Sequence, residues 1–364
     1  MQFDNIDIER IMKEEPIAVY GAGLMGRAVF KCLNSNTYRK KISNFIVNDR
    51  AGKPEQIYNV RVISITEATY YRDKLVLVAL HDKNMDSAVT ALEKQGFTNI
   101  LPISFDSDLW TDLRGNWMAD EGLGICKCTP IVTSLEKQSR IFVVHSNCDK
   151  RLAEKEVMVD YEKHILAGAS LTDNIMFECN DNSGENISFK NREYCELTAI
   201  YWAWKNDESQ VVGLSHYRRR FVFDKLEAGE SLNGVDVLIT VPIFTELTVR
   251  EQYAKDHRIQ DWDIMLEAIA VLYPDYIEAA NSIQSGHYYY GYNMFVTRKP
   301  IWDAYCRWLF DILNYCEKHI KRSGDSYQDR YAGFLAERLL TIYLKKNEYL
   351  KIGVANKHFI SNVE

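Results

Sequence analysis

The residues IAVYGAGLMGRAVFKCL, Ile17 to Leu33, restrict what this chain can fold into more than any other stretch. A β-prone apolar run enters the glycines Gly21, Gly23 and Gly26, after which Leu24, Ala28, Val29 and Cys32 recur at helical spacing. Strand, tight turn and helix in that order begin a βαβ unit. The glycines let the backbone turn sharply and let a pyrophosphate approach the helix N-terminus. Apolar runs at Ile42–Val47, Val60–Ile65, Leu75–Leu80 and Ile100–Ile103 follow, with helical stretches such as Asp86–Gln95 between the later ones. Such alternation requires right-handed crossovers and a parallel sheet. Residues 1–105 are therefore predicted to form a Rossmann-like domain.

At 364 residues the chain exceeds what one hydrophobic core usually organises, so a second unit is expected. Between 106 and 139 the apolar period is lost among DSDLW, RGNW, DEGLG and CKCTP, which reads as an irregular connection. A second α/β pattern occupies 140–364. IFVVHS (Ile141–Ser146) reads as its first strand, and Glu193–Asn206 as a helix with Leu197, Ile200, Tyr201 and Trp204 on one face. QVVGLS, VDVLITVP and YNMFVT are further strands, and Ile301–Lys321 and Asp329–Lys346 are long amphipathic helices.

A formal charge of −7 argues against a broad nucleic-acid-binding surface, and no apolar run approaches the roughly 20 residues needed to cross a bilayer. The opening residues MQFDNIDIERIMKEE carry acids and no apolar core, so a cytoplasmic location is expected. The eight cysteines are dispersed. The close pair Cys126 and Cys128 lacks the second pair that a structural zinc site needs, so no metal is assigned to them.

Two places carry chemistry. Gly21, Gly23 and Gly26, with Asp49 near the end of the second strand where a ribose-binding acid sits, fit a weak NAD(P) fingerprint. No residues for hydride transfer accompany it, so a docking or regulatory module is the favoured reading of this domain. The sharper signal is VVGLSHYRRRF, where a strand runs into His216, Tyr217, Arg218, Arg219 and Arg220. Open α/β sheets bind ligands at the carboxyl ends of their strands, and guanidinium groups take phosphate oxygens bidentately.

The blocks NDNSGENISFKNREYCELTAIYWAWKN (Asn180–Asn206), GLSHYRRRF, GYNMFVTRK (Gly291–Lys299) and YQDRYAGFLAERLLTIYL (Tyr327–Leu344) occur in that order. Together they resemble a bacterial surface and capsular polysaccharide glycosyltransferase family, first catalogued as a domain of unknown function, that includes galactofuranosyltransferases. The resemblance covers roughly residues 138–360. It implies a GT-A-like nucleotide-sugar transferase domain that moves a hexose, galactofuranose above others, from a UDP-sugar to a saccharide acceptor. The acceptor implied is lipid-linked or an oligosaccharide, in capsule, exopolysaccharide or O-antigen synthesis, with work at the inner face of the cell membrane.

On this resemblance each block has a task. His145, with Ser146 or Asn147, would lie by the uracil ring, and Arg218 and Arg219 would hold the diphosphate. Asn182, Asn186 and Lys190 would contact sugar hydroxyls or phosphate, or else serve as turn and cap residues. Glu196 would pair with a cation, Arg218 or Arg219, or with a sugar hydroxyl. Tyr292 and Asn293, in the aromatic run HYYYGYNMF, would line the sugar site. His216 stands where GT-A enzymes carry Asp-X-Asp, which leaves dependence on a divalent metal, Mn or Mg, open. Asp261, Trp262 and Asp263 spell that pattern but read as helix-start acids. Glu337 is the expected general base, on the flank of an apolar arc, with Asp329 in reserve and Arg338 pointing the other way. An NAD(P)-dependent sugar-nucleotide oxidoreductase or epimerase, and a non-catalytic assembly scaffold, are the alternatives.

Overall fold

The glycine turn and its neighbours form an open parallel sheet. In chain order the elements are α1 (Ile6–Lys13), β1 (Ile17–Tyr20), α2 (Leu24–Leu33), β2 (Ile42–Val47), β3 (Gln56–Ile57), β4 (Val60–Ser64), β5 (Leu75–Val78), α3 (Met85–Lys94), β6 (Ile100–Pro102), α4 (Asp108–Asp120) and β7 (Ile125–Lys127). The strand order is β3-β4-β2-β1-β5-β6, and all pairs but the β3–β4 hairpin are parallel. This doubly wound order reverses direction between β1 and β5. Alternate residues serve opposite faces: Ile17, Val19, Leu75 and Leu77 pack with α2 and α4, and Ala18, Tyr20, Val76 and Val78 with α3.

The computed structural model describes residues 5–104, 107–122, 125–127, 139–153, 159–222, 234–245 and 247–360. The chain divides into two units, Met1–Lys127 and Cys128–Glu364. One boundary differs from the sequence reading. The expected connection 106–139 contains α4, whose Leu109, Trp110 and Leu113 join the core of the first unit. Its apolar period is hard to see because polar residues also anchor it: Asp112 accepts from Asn5, Asp120 from Thr37, and Arg114 lies over the Trp110 ring at 4.9 Å. Cys128 lies outside the described residues, as does the Cys126 side chain.

The second unit continues with β8 (Ser139–His145), β9 (Glu162–Leu166), β10 (Cys179–Asn180), α5 (Asn191–Tyr194), α6 (Leu197–Asn206), β11 (Val211–His216), β12 (Arg219–Val222), β13 (Val237–Thr240) and β14 (Ile243–Phe244). Then come α7 (Val249–Asp256), α8 (Ile259–Leu272), α9 (Ile277–Ser285), β15 (Tyr288–Tyr289), β16 (Phe295–Arg298), α10 (Lys299–His319), α11 (Tyr331–Lys346) and β17 (Ile352–Phe359). Strands β10, β9, β8 and β11 are parallel neighbours, so their carboxyl ends share one edge. Beyond them β16 runs antiparallel to the start of β11, followed by β13 and β17, and β12 pairs with β17. Gly213 permits the β11–β16 contact, since a Cβ there would stand 2.6 Å from Val296 Cγ2. The helix expected over 193–206 is broken at Cys195, where φ is +49°, into α5 and α6.

Candidate functional site

At the carboxyl ends of β8 and β9 the rings of His145, His164 and Phe177 cluster, with His145 4.3 Å from Phe177 and Tyr217 at 5.8 Å. His145 Nδ1 donates to Asp149 Oδ2 (3.1 Å), so its Nε2 accepts from His164 Nδ1 (2.8 Å). That leaves His164 Nε2 buried without a hydrogen-bond partner. Burial, His145 and Arg220 together push the His164 imidazole down to about 4, so it is uncharged at neutral pH. Beyond β10, fully buried Asp181 fixes the next turn by accepting from the amides of Gly168 (2.8 Å) and Ala169 (3.0 Å) and from the Ser188 hydroxyl.

The arginine run divides its labour. Arg220 is buried and paired through two nitrogens with Glu162, a structural ion pair between β12 and β9. Arg218 and Arg219 are half-buried and make no ion pair with a carboxylate among the described residues. They lie over aromatic faces instead, Arg218 4.7 Å from Phe359, and Arg219 4.5 Å from Tyr292 and 5.2 Å from Phe359. Both Nε atoms are buried without a hydrogen-bond partner. Lys357 stands 5.7 Å from the same Tyr292 ring. His216 Nε2 donates to Tyr292 O (2.7 Å), which ties β11 to the loop before β16.

That loop carries the second half of the site. Tyr292 and Asn293 both have positive φ, +71° and +52°, a conformation that Asn tolerates and Tyr rarely adopts. The strained turn aims the Tyr292 amide at Glu337 Oε1 (2.6 Å) and the Asn293 amide group at Glu196 Oε1 (2.7 Å). Glu196 therefore pairs with Asn293 and not with Arg218 or Arg219 as the sequence suggested. Glu337 Oε2 accepts from Arg338 Nη1 (2.6 Å). Arg338 does not point away: it is 1% exposed, its stem folds back, and Phe334 O and Gln252 Oε1 hold it, each at 3.0 Å. Burial raises the Glu337 carboxyl above its ordinary value, opposed by Arg338, the Tyr292 amide and Arg219, and reinforced by Glu196. A cavity of about 530 Å³ opens beside Glu337 and Arg338, lined further by Gln252, His257, Tyr289 and Phe334.

Other expected residues do different work. Asn186 bonds within its turn, from Nδ2 to Gly184 O (3.0 Å) and from Ser188 N to its Oδ1 (3.2 Å). Lys190 pairs with Glu317 at 2.7 Å, and Asn182 is exposed. Asp329 accepts from Ser323 N (2.6 Å), Ser323 Oγ (2.8 Å) and Gly324 N (3.1 Å), which closes the loop before α11. Its carboxyl sits below the ordinary range because those donors outweigh the cost of its desolvation. Asp261 and Asp263 lie in the first turns of α8, paired with Arg258 (3.6 Å) and Arg250 (2.7 Å). Among the described residues no group of three His, Cys, Asp or Glu side chains converges as a metal site, and the two acids of the Asp261-Trp262-Asp263 pattern face separate arginines.

In the first unit, a Cβ on Gly21 (φ +119°) would stand 2.4 Å from Ala79 O, and one on Gly26 1.9 Å from Gly21 O. Both glycines serve packing of the turn. Gly23, the N-cap of α2, faces open space. Asp49 is exposed and its Oδ1 accepts from Ala51 N (2.9 Å) in a local turn.

Sequence reasoning passed over His164, Asp181, Gln252, His257 and Phe334. Each meets the site only through strand pairing or through single side-chain contacts between the α7 end and α11, such as Gln252 to Arg338 and His257 to Phe334, and neither has a periodic signature.

A mixed sheet whose parallel strands β10, β9, β8 and β11 share a carboxyl edge, with Arg218 and Arg219 beside it and paired with no carboxylate among the described residues, defines an α/β fold of glycosyltransferase-like type. The chain is similar to the apo structure of WbbM, a bifunctional glycosyltransferase, with 29% identity and a TM-score of 0.55 over 62% of this chain. The match covers 45% of that protein, so this chain spans less than half of its length. The chain belongs to the family of the domain of unknown function DUF4422, which matches residues 141–348. No curated protein matches it. Among the described residues no helix is long and apolar enough to cross a membrane.

Proposed function

We propose that residues 140–364 form a GT-A-like glycosyltransferase that moves a hexose, galactofuranose above others, from a UDP-sugar to a saccharide acceptor with inversion. The observation that carries this reading is that Arg218 and Arg219, at the β11–β12 turn and paired with no carboxylate among the described residues, stand against the strained Tyr292–Asn293 loop whose amide holds Glu337 of α11. Tyr292 links the two, its ring under Arg219 and its amide on Glu337. The similarity to WbbM supports the reaction class, and the family's resemblance to polysaccharide-assembling enzymes supports the acceptor and the capsular or O-antigen pathway.

In this reading the Glu337 carboxylate takes the proton of an acceptor hydroxyl while its oxygen bonds the anomeric carbon. The bond from that carbon to the diphosphate breaks, and the electron pair leaves on UDP, whose growing charge Arg218 and Arg219 stabilise. No step passes through a metal ion. His145 and Tyr217 provide flat faces at the strand ends where a uracil ring would lie. The first unit is read as a Rossmann-like docking or regulatory module, and no step of the transfer is assigned to it.

Titration calorimetry with UDP tests the assignment. Replacing both arginines by alanine is expected to weaken UDP binding at least tenfold, because charge-assisted bonds to phosphate contribute about 1.5–3 kcal/mol each. The fold should survive, since neither guanidinium carries an ion pair. Unchanged affinity would remove the diphosphate role from HYRRR. Glu337→Gln should bind UDP as the parent does and lose transfer by about 100-fold or more.

A further inference from the structure

The cavity beside Glu337 has a wall made of rings. His257 and Phe334 stack with centroids 3.9 Å apart and planes 20° off parallel. Tyr327 continues the wall, 5.2 Å from Phe334 and 6.0 Å from His257. Tyr327 is 52% exposed although a large aromatic side chain usually buries its face. Opposite charges balance within the lining. Arg338 is bound to Glu337 and to Gln252, the Asp256 carboxylate accepts from Gln252, and Lys255 is exposed and makes no ion pair among the described residues. Burial and the neighbouring Arg338 hold the His257 ring down to about 4, so it adds no charge at neutral pH. The volume, about 530 Å³, lies in the range of small-ligand pockets.

We propose that this cavity is a subsite for an uncharged saccharide terminus, whose C–H face lies on Phe334 and Tyr327 and whose hydroxyl meets Glu337. Aromatic rings take the apolar face of a pyranose or furanose while hydroxyls at its edge bond polar groups, and this lining supplies both. A uronate or phosphate ligand would meet the carboxylates of Glu337 and Asp256; drawing Arg338 away would leave Glu337 buried and unpaired, and the remaining lining cation, Lys255, is solvent-exposed, where its attraction is screened. The assignment deepens the transferase reading and rests on it for the role of Glu337. It names the ligand class, a neutral sugar end, and adds Phe334, Tyr327 and His257 as the residues that select it.

The test is saturation-transfer NMR on the full chain with methyl glycosides of glucose, galactose and mannose, in both anomeric forms, and with methyl glucuronide as the charged counterpart. Saturation of at least one neutral glycoside at millimolar concentration is expected, with none of the glucuronide. Phe334→Ala, and separately the more exposed Tyr327→Ala, should weaken the neutral signal at least fivefold while UDP affinity stays at the parent value. Silence from every glycoside, an unaltered signal in both variants, or equal saturation of the glucuronide would each overturn the subsite. UDP binding is read in the same samples. A parent protein that binds UDP but no glycoside refutes the subsite alone, whereas a parent protein that binds glycosides but not UDP refutes the donor assignment alone.

Discussion

Asp261 is buried in the first turn of α8, and burial pushes its carboxyl up to about 6, against the opposing pull of Arg258. Its folded form keeps a proton that the unfolded chain releases, so this residue costs stability as pH rises from about 4 to about 6 and the cost is constant above that. Asparagine cannot titrate. Asp261→Asn should therefore gain on the parent by an amount on the order of 2–3 kcal/mol between pH 4 and pH 7. Urea titrations at the two pH values check this, and a difference that does not change with pH removes the argument. At Glu337 the sign has another consequence. A base acts only when ionised, so if Glu337 is the base of the proposed transfer, its rate should rise with pH through a midpoint above the ordinary glutamate value. Arg338→Met removes the main opposing cation and should move that limb to higher pH, with UDP affinity unchanged. That Glu337 faces a cavity was legible in the sequence from its place on the flank of an apolar arc. Arg338 was not, because the direction of a Cβ on a helix says little about where a long flexible stem will end.

At the scale of elements, the turn between β1 and α2 separates two functions that a sequence motif merges. A methyl group at Gly26 would overlap Gly21 O, whereas one at Gly23 would meet nothing within 4 Å. Gly26→Ala should cost the first unit about 3 kcal/mol or more, as overpacking against backbone does, and Gly23→Ala should cost well under 1 kcal/mol. Thermal unfolding of the two variants distinguishes them, and equal losses would mean that the turn relaxes. The elements that the sequence made legible share one property, a simple period. Leu75–Val78 lies within an uninterrupted apolar run, Ile42–Val47 ends in the apolar Phe45–Val47, and α10 and α11 carry long helical stripes. The illegible ones are set by single contacts. The positive φ of Cys195 breaks a helical pattern, Asn5, Thr37 and Tyr38 anchor α4, and the side-by-side placing of His145 and His164 depends on a parallel register between β8 and β9. Periodicity reports which face of an element is buried, and pairing partners lie outside its reach.

Across the whole molecule, acid should act on the two units unequally. Each unit has its own core, so unfolding need not be a single transition. The second unit holds both His164 and His257, each pushed down to about 4 by burial first. Their folded forms refuse protons that the unfolded chain accepts below its ordinary histidine value near 6.5. Stability from these groups is present above that value and is lost as pH falls toward 4. Asp261, in the same unit, works in the opposite sense below about 6 and offsets roughly one of the two histidines. The net loss between pH 7.5 and pH 5 is then about 2 kcal/mol, which for a unit of this size lowers the midpoint by about 4–8 °C. The one histidine in the first unit, His81, is exposed. Calorimetry at the two pH values should show the transition of the second unit moving down by this amount and that of the first moving less. If the first moves as far, or the second stays in place, the buried histidines do not govern the acid response. Where the second transition does fall, UDP at 100 times the dissociation constant it shows at each pH should raise it by about 2.7 kcal/mol if the proposed donor site persists in acid, and no rise at pH 5 would mean that the site is lost there.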